Sequence, residues 1–336
     1  MKVFCAFFLA LFVCAAPAFA NVTVYSPGAN ARVVSPFWLS AVANPCSSQP
    51  IAAMGYSFDD SSNTTIVNGA SVSAVIGFST GAHVLHIKSW GNQGASCVTN
   101  VNLTVVPPPT SMVPSWAGRA TQVQTLGSWE AQNDAATGTG IAKGLMNLVG
   151  VPSLTGYARE FDTAFSNSSG ERYAVEFGVD QSAQNFLYDG WVYFANSTNN
   201  IANLEMDVNQ VMPNGQTVIY GFQCDGYSGT WDYTVNAGTP WSPKDQWWHS
   251  YSECNPREWS TNAWHHIQVS YSRNTAGAVT YKSVWLDNVE QDLYFTVPSS
   301  FALGWSPTLL TNFQVDGLGA SGSSKVYLDN LTIYWW

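Results

Sequence analysis

From Val22 to Trp336 the chain is written in short runs in which apolar and polar residues alternate, and Gly, Pro, Asn or Asp separates one run from the next. A period of two marks a strand with one buried face, because successive side chains leave a pleated backbone on opposite sides. The alternation is plainest in HVLHIKSW (83–90) and VNLTVV (101–106), and no strong helical pattern interrupts it. The expectation is an all-β protein made of packed antiparallel sheets.

The first twenty residues stand apart. Lys2 is followed by an apolar run over 3–16 and by Ala18-Phe19-Ala20, the small-x-small form of a cleavage site, which together predict a secretory signal peptide over 1–20. The run is shorter than the roughly 20 residues a membrane span needs, and no later stretch is long and apolar enough. The expected product is secreted or otherwise extracytoplasmic, in the periplasm or at the cell surface. Cys5 and Cys14 leave with the leader, and Cys46, Cys97, Cys224 and Cys254 remain, an even set suited to an oxidising compartment. They allow three pairings, of which the domain division favours Cys46–Cys97 and Cys224–Cys254. Each bridge would stabilise by roughly 3.5–4 kcal/mol in the chain-entropy picture. No CxxC occurs, so zinc held by thiolates is not expected.

Pro107-Pro108-Pro109, with Thr110, Ser111 and Pro114 after it, has the composition of a stiff, extended spacer. It divides a first domain over 21–106 from a second over 116–336, with a linker over 107–115. The first domain holds around seven short strand signals, the number of an immunoglobulin-like sandwich. The second holds about eleven, from YAREFDTAF to KVYLDNLTIYWW, enough for two large packed sheets in a jelly roll. Within the last of these the phase slips at Asp329-Asn330, where a β-bulge would sit. Asp287-Asn288 reads as a turn.

Both domains carry family resemblances. Val22 to Val33 fits V-x-V-x-S-P-x-x-x-A-x-V, and Gly81 to Trp90 fits G-x-H-x-L-x-x-x-x-W, so the first domain resembles bacterial Ig-like modules. Here Cys46 and Cys97 fall at strand ends, so their bridge would staple a rim instead of crossing the core. Trp264-His265-His266-Ile267-Gln268-Val269-Ser270-Tyr271, followed by Ser283 to Asn288, and the closing Tyr327 to Tyr334 resemble the concanavalin A-like lectin/glucanase superfamily, which includes laminin-G-like domains. That resemblance implies a jelly-roll sandwich that binds or cleaves sugars. His265 and His266 are neighbours on one strand and face opposite sides, which suits structural roles better than a shared metal.

The chemistry centres on NLEMDVNQ (203–210). In a strand Glu205 and Asp207 share a face, with Leu204, Met206 and Val208 on the other. Laminarinase-like members of the superfamily carry E-x-D-x-E or E-x-D-x-x-E, which would make Glu205 the nucleophile and Asp207 its helper. The final acid is replaced by Asn209 or Gln210, and an amide cannot donate and recover a proton. Retaining hydrolysis needs a second carboxyl about 5–5.5 Å away, for which Glu176, Asp180, Asp189 and Asp225 are the displaced candidates.

Nearby, between Cys224 and Cys254, Trp231, Tyr233, Trp241, Trp247 and Trp248 sit among Asp, Asn, Gln and His. Sugar rings present apolar faces and hydroxyl edges, which suit aromatic rings beside amides and carboxylates, although the ordinary fate of any one Trp is the core. The chain is 14% aromatic and only 10% charged, and its net charge of −10 repels phosphate backbones, so nucleic acid is not an expected partner. Paired carboxylates attract Ca²⁺, but Ca²⁺ wants six to eight oxygens and no dense acidic loop supplies them, so no cofactor or metal is assigned. The leading expectation is a non-catalytic, lectin-like protein that holds a polysaccharide or cell-surface glycan with Glu205, Asp207, Gln210 and these aromatics. A glycoside hydrolase and a cell-surface adhesion protein are the alternatives.

Overall fold

The computed structural model describes residues 22–60, 62–134 and 138–336; the leader expected over 1–20 lies outside them. The chain is all-β, and its helical segments among the described residues are short 3-10 turns. It forms two compact units.

The smaller unit comprises the described residues up to 30, then 39–75 and 82–103. The alternation read in HVLHIKSW appears as the long strand Gly81–Gly91, which sends Leu85 and Ile87 inward to a core shared with Leu39, Met54, Val72 and Val101. Cys46, in a 3-10 turn, is bonded to Cys97, near the start of the strand Ser96–Val106. The segment Pro109–Met112 is a single 3-10 turn, and from Thr104 on the chain belongs to the larger unit.

Two antiparallel sheets make the larger unit. One runs Ala142–Val149, Ala158–Ser166, Ser321–Trp335, Asn185–Phe194, Trp264–Arg273, Ala278–Leu286, Val289–Pro298. The other is nine-stranded. Seven of its strands matter for function, and we number them in chain order: β1 (Glu130–Asp134), β2 (Gly170–Gly178), β3 (Ile201–Val211), β4 (Phe222–Asp225), β5 (Thr230–Asn236), β6 (Asp245–Glu253) and β7 (Leu309–Gly317). In space they follow the order β1-β2-β7-β3-β4-β5-β6. The two sheets close on a core that holds many rings, including Phe161, Tyr173, Phe186, Phe222, Trp231, Tyr271, Tyr281 and Phe313. Phe222 stacks on Trp231 with centroids 4.9 Å apart and planes 10° apart. At 14% aromatic, the chain fills much of its interior with aromatic area.

The phase slip at Asp329-Asn330 is a register shift. Trp191 stands opposite Asp329 while Asp189 stands opposite Thr332, and Asn330 takes a left-handed φ of 50°. Asp329 is fully buried there and works as a hub. Its carboxylate accepts from Gln124 Nε2, Ser153 Oγ, Thr155 Oγ1 and the backbone amides of Leu154 and Thr155. Burial pushes this carboxyl up, but the hydrogen bonds outweigh it and hold the pKa below its ordinary value. Asp287 and Asn288, both at positive φ, form the two-residue turn between Ala278–Leu286 and Val289–Pro298. Asp287 also fixes His265, Nδ1 to Oδ2 2.8 Å, while His266 stacks on Trp191 and contacts Asp189 at 2.7 Å. Replacing Asp329 by Ala leaves several donors without an acceptor, and the expected loss is about 3 kcal/mol, read as a lowered urea midpoint with an unchanged slope.

Candidate functional site

Strand alternation gives the nine-stranded sheet two faces of opposite character. On β3, Leu204, Met206 and Val208 enter the core and Glu205, Asp207 and Asn209 take the other side. The same division holds on β5, where Trp231, Tyr233 and Val235 are core and Asp232, Thr234 and Asn236 face away, and on β7, where Phe313 and Val315 are core and Asn312, Gln314 and Asp316 face away.

Register lines these outward residues up. Glu205 pairs with Gln314 on one side and Gln223 on the other. Gln314 pairs with Arg172 and Arg172 with Gln132, while Gln223 pairs with Asp232 and Asp232 with His249. One polar row therefore crosses the sheet from β1 to β6, about 29 Å measured along it at the usual strand spacing. The next row carries Asp207, Asn312, Thr234 and Trp247. The charge of Asp134, on edge strand β1, raises the pKa of Asp245, on edge strand β6, after burial itself. These rows give the sheet one polar face across these seven strands.

Most of this face is buried although it is polar, so each group has to find partners. Asp207 Oδ1 accepts from the amide of Phe222 at 2.9 Å, and Asp207 O accepts from Thr311 Oγ1 at 2.6 Å. Gln314 Nε2 donates to Asp134 at 3.2 Å and to Asp316 at 3.0 Å, and Arg172 donates to Gln132 at 2.6 Å. Burial, with the nearby Asp207 charge, drives the Glu205 carboxyl well above its usual range. Burial raises Asp207 and Asp232 to about 6 and Asp316 to about 7.

The residues singled out from the sequence divide by strand parity. Glu205 and Asp207 are on the polar face. Trp247 shares that face by register, paired with Thr234, and both crowd Gly221. A Cβ on Gly221 would lie 1.9 Å from Thr234 Oγ1 and 3.4 Å from the Trp247 ring. Trp231 and Tyr233 do not reach the polar face. Both are core, Trp231 donating Nε1–H to Gln291 Oε1 and Tyr233 stacking on Phe295 at 5.1 Å. Trp248 takes the opposite face of β6 from Trp247 and is exposed, and Trp241 lies 75% exposed on the loop between β5 and β6.

Gln210 also points away from the polar face. Its amide bonds Asp180 O, Ala183 O, Tyr220 Oη and Arg273 Nε inside the protein. Because β3 runs on regularly through this stretch, the position after Asp207 on the polar face belongs to Asn209. Asn209 is 1% exposed, and its Nδ2 has no hydrogen-bond partner among the described residues. Of the displaced acids, Asp189 is on the other sheet, bound to His266 and Gln268, and Asp180 caps the turn at Ser182 and Ala183. Glu176 and Asp225 lie on the polar face.

Cys224 is bonded to Cys254, which ties β4 to the chain just beyond β6. Among the described residues, Asp225, Asp232 and His249 bring three ligand atoms within 4.8 Å of one another. Three is short of the six to eight oxygens of a Ca²⁺ site. Asp232, Thr234, Gln223, Asn312, Gln314 and Asp316 were not singled out from the sequence. Their signal was the polar half of TWDYTVN, FQCD and NFQVD.

No protein-family model matches the chain, and no curated protein matches it in sequence. Solved structures do. A carbohydrate-binding module of the β-sandwich superfamily is 12% identical with a TM-score of 0.32, over 92% of this chain and 96% of that one. The cellulose-induced protein Cip1 is 12% identical with a TM-score of 0.36, over 61% and 90%. A carbohydrate-binding module from Bacillus subtilis is 8% identical with a TM-score of 0.27, over 56% and 92%. None of these likenesses assigns a family or a ligand to this chain. Its class rests on its own strands, as a disulfide-bonded, all-β protein of stacked sheets whose larger unit carries a polar sheet face.

Glu205, Asp207, Asp232 and Asp316 all titrate above their unfolded values near 4. Between about pH 4 and pH 7 the folded chain therefore holds more protons than the unfolded one, and stability falls as pH rises through this window. The melting temperature is expected to be higher at about pH 5 than at about pH 7.5. Scanning calorimetry across the range checks this, and a flat or opposite trend contradicts the raised pKa values of these acids.

Proposed function

We propose that this is a secreted glycan-binding protein, an Ig-like domain over 21–106 joined by the 107–115 segment to a concanavalin-like sandwich over 116–336. A sugar chain lies along the polar face of the nine-stranded sheet. The observation that carries this reading is the cross-sheet row of amides and carboxyls, with Trp247 standing on the same face. Side-chain amides and carboxyls match hydroxyl edges, and an indole face matches the apolar face of a pyranose. The two disulfides agree with an oxidising, extracellular setting. Holding is favoured over cutting because the position after Asp207 on this face carries an amide, which cannot serve as the proton donor.

Titration of the mature chain against a panel of soluble polysaccharides is expected to find a binding partner. Trp247→Ala should weaken that binding at least about tenfold, equivalent to about 1.4 kcal/mol, while Trp248→Ala should change it little. Binding that is unaffected in Trp247→Ala would move the site away from this face. Reducing ends released by the wild type and lost in Glu205→Gln would replace the binding reading with a hydrolase.

A further inference from the structure

Among the described residues, Arg119 is the one arginine whose side chain holds no hydrogen bond or ion pair, and it is exposed. The others are engaged. Arg32 binds Glu290, Arg172 binds Gln132 and Arg273 binds Gln210, while Arg159 and Arg257 donate to the backbone oxygens of Gln124, Leu126 and Gly226. A guanidinium is always charged and presents a planar fork of donors that matches a carboxylate. In a chain of net charge −10, Arg119 keeps that fork open to a ligand.

Arg119 lines a cavity of about 490 Å³, within the roughly 300–1,000 Å³ of small-molecule sites. Every residue that lines it belongs to the larger unit. The short strand Gly118–Ala120 pairs with the closing strand Ser321–Trp335, and Arg119 stands directly opposite Tyr334. Alternation decides where the two point. Gly118 lies against Trp335, whose indole would come within 2.3 Å of an added Cβ, so Arg119 and Tyr334 share the other side. Thr110, Val113, Pro114 and Ser115 supply more of the wall. Val113 N donates to Thr110 O and Ala117 N to Pro114 O, and Pro108, Pro109 and Pro114 stiffen the segment, so little order has to be gained when a ligand enters. Arg119 is the one charged residue of the lining. Asp189, whose charge reaches Tyr334, is already bound to His266 and Gln268. Burial, then Asp189, raise the Tyr334 pKa against the pull of Arg119, so the hydroxyl stays protonated and can donate.

We propose that this cavity binds a hydroxylated monocarboxylate about the size of one sugar ring. The carboxylate takes the Arg119 fork in a charge-assisted pair. The Tyr334, Thr110 and Ser115 hydroxyls meet the hydroxyls of the ligand, and Val113 and Pro114 cover its apolar side. One guanidinium among neutral hydroxyls balances one negative charge, and a phosphate dianion would keep a charge unmatched. The strands that carry Arg119 and Tyr334 belong to the sheet other than the nine-stranded one. The site is therefore separate from the polar face and does not rest on the glycan-binding reading.

The test is calorimetric titration of the mature full chain, at neutral pH and low salt, with D-glucuronate, D-glucose, acetate and inorganic phosphate. Glucuronate is expected to bind at least about tenfold tighter than each of the other three. Arg119→Gln should weaken glucuronate at least about tenfold, and Tyr334→Phe about threefold. Because Arg119 is exposed and unpaired within the protein, Arg119→Gln should melt with the wild type. Absence of glucuronate binding, equal or tighter binding of glucose, acetate or phosphate, or glucuronate binding that survives Arg119→Gln overturns the proposal. So does glucuronate binding that is lost in Trp247→Ala, which would place the ligand on the other sheet. Polysaccharide binding at Trp247 is judged by its own titration, so either reading can fail without the other.

Discussion

Burying Glu205 beside Asp207 is the constraint to which the rest of the larger unit answers. Two carboxyls cannot both ionise in a dry site a hydrogen bond apart. The structure meets this by raising the Glu205 carboxyl well above its ordinary range, with the Phe222 amide on Asp207, and with amides on the neighbouring strands. Each of those helpers arrives by register. Gln314 and Asn312 must stand opposite Glu205 and Asp207, and one residue of slippage would exchange them for Phe313 and Val315. The apolar half of each strand holds the polar half in place, so core packing and polar chemistry are one requirement expressed on two faces.

Much of this was legible in the sequence, for identifiable reasons. Alternation located the strands, and the phase slip at Asp329-Asn330 located the bulge, because a period of two leaves a visible trace when it breaks. Asp287-Asn288 announced a turn through residues that tolerate positive φ. Both disulfides followed from the division of the chain. The polar row was harder, because it joins seven strands that are distant in the chain and only register brings them together. Gln132, Gln314 and Gln223 carry no local sign that they share a row with Glu205.

Where the aromatic readings went astray, parity was the reason. In TWDYTVN the eye is drawn to Trp231 and Tyr233, yet the polar partners Asp232 and Thr234 take the polar face. These two rings fill the interior of the sandwich, with Phe222, Tyr271 and Tyr281 around them. Trp247, on the edge strand, has no such interior to enter on its face. The same logic moved the critical amide from Gln210 to Asn209. The sequence motif permits either spacing, and only an unbulged strand decides between them.

The bond between Cys224 and Cys254 has a consequence for how the polar face can fail. Edge strand β6 is exposed along most of its length and would otherwise be the first segment to fray. Tethered at its far end to the interior strand β4, it can loosen only as a short, anchored flap. A protease in the surrounding medium meets few extended conformations there, and a neighbouring chain finds little free strand to recruit. The strand that bears Trp247 thereby keeps the lifetime of the interior against which it is fastened.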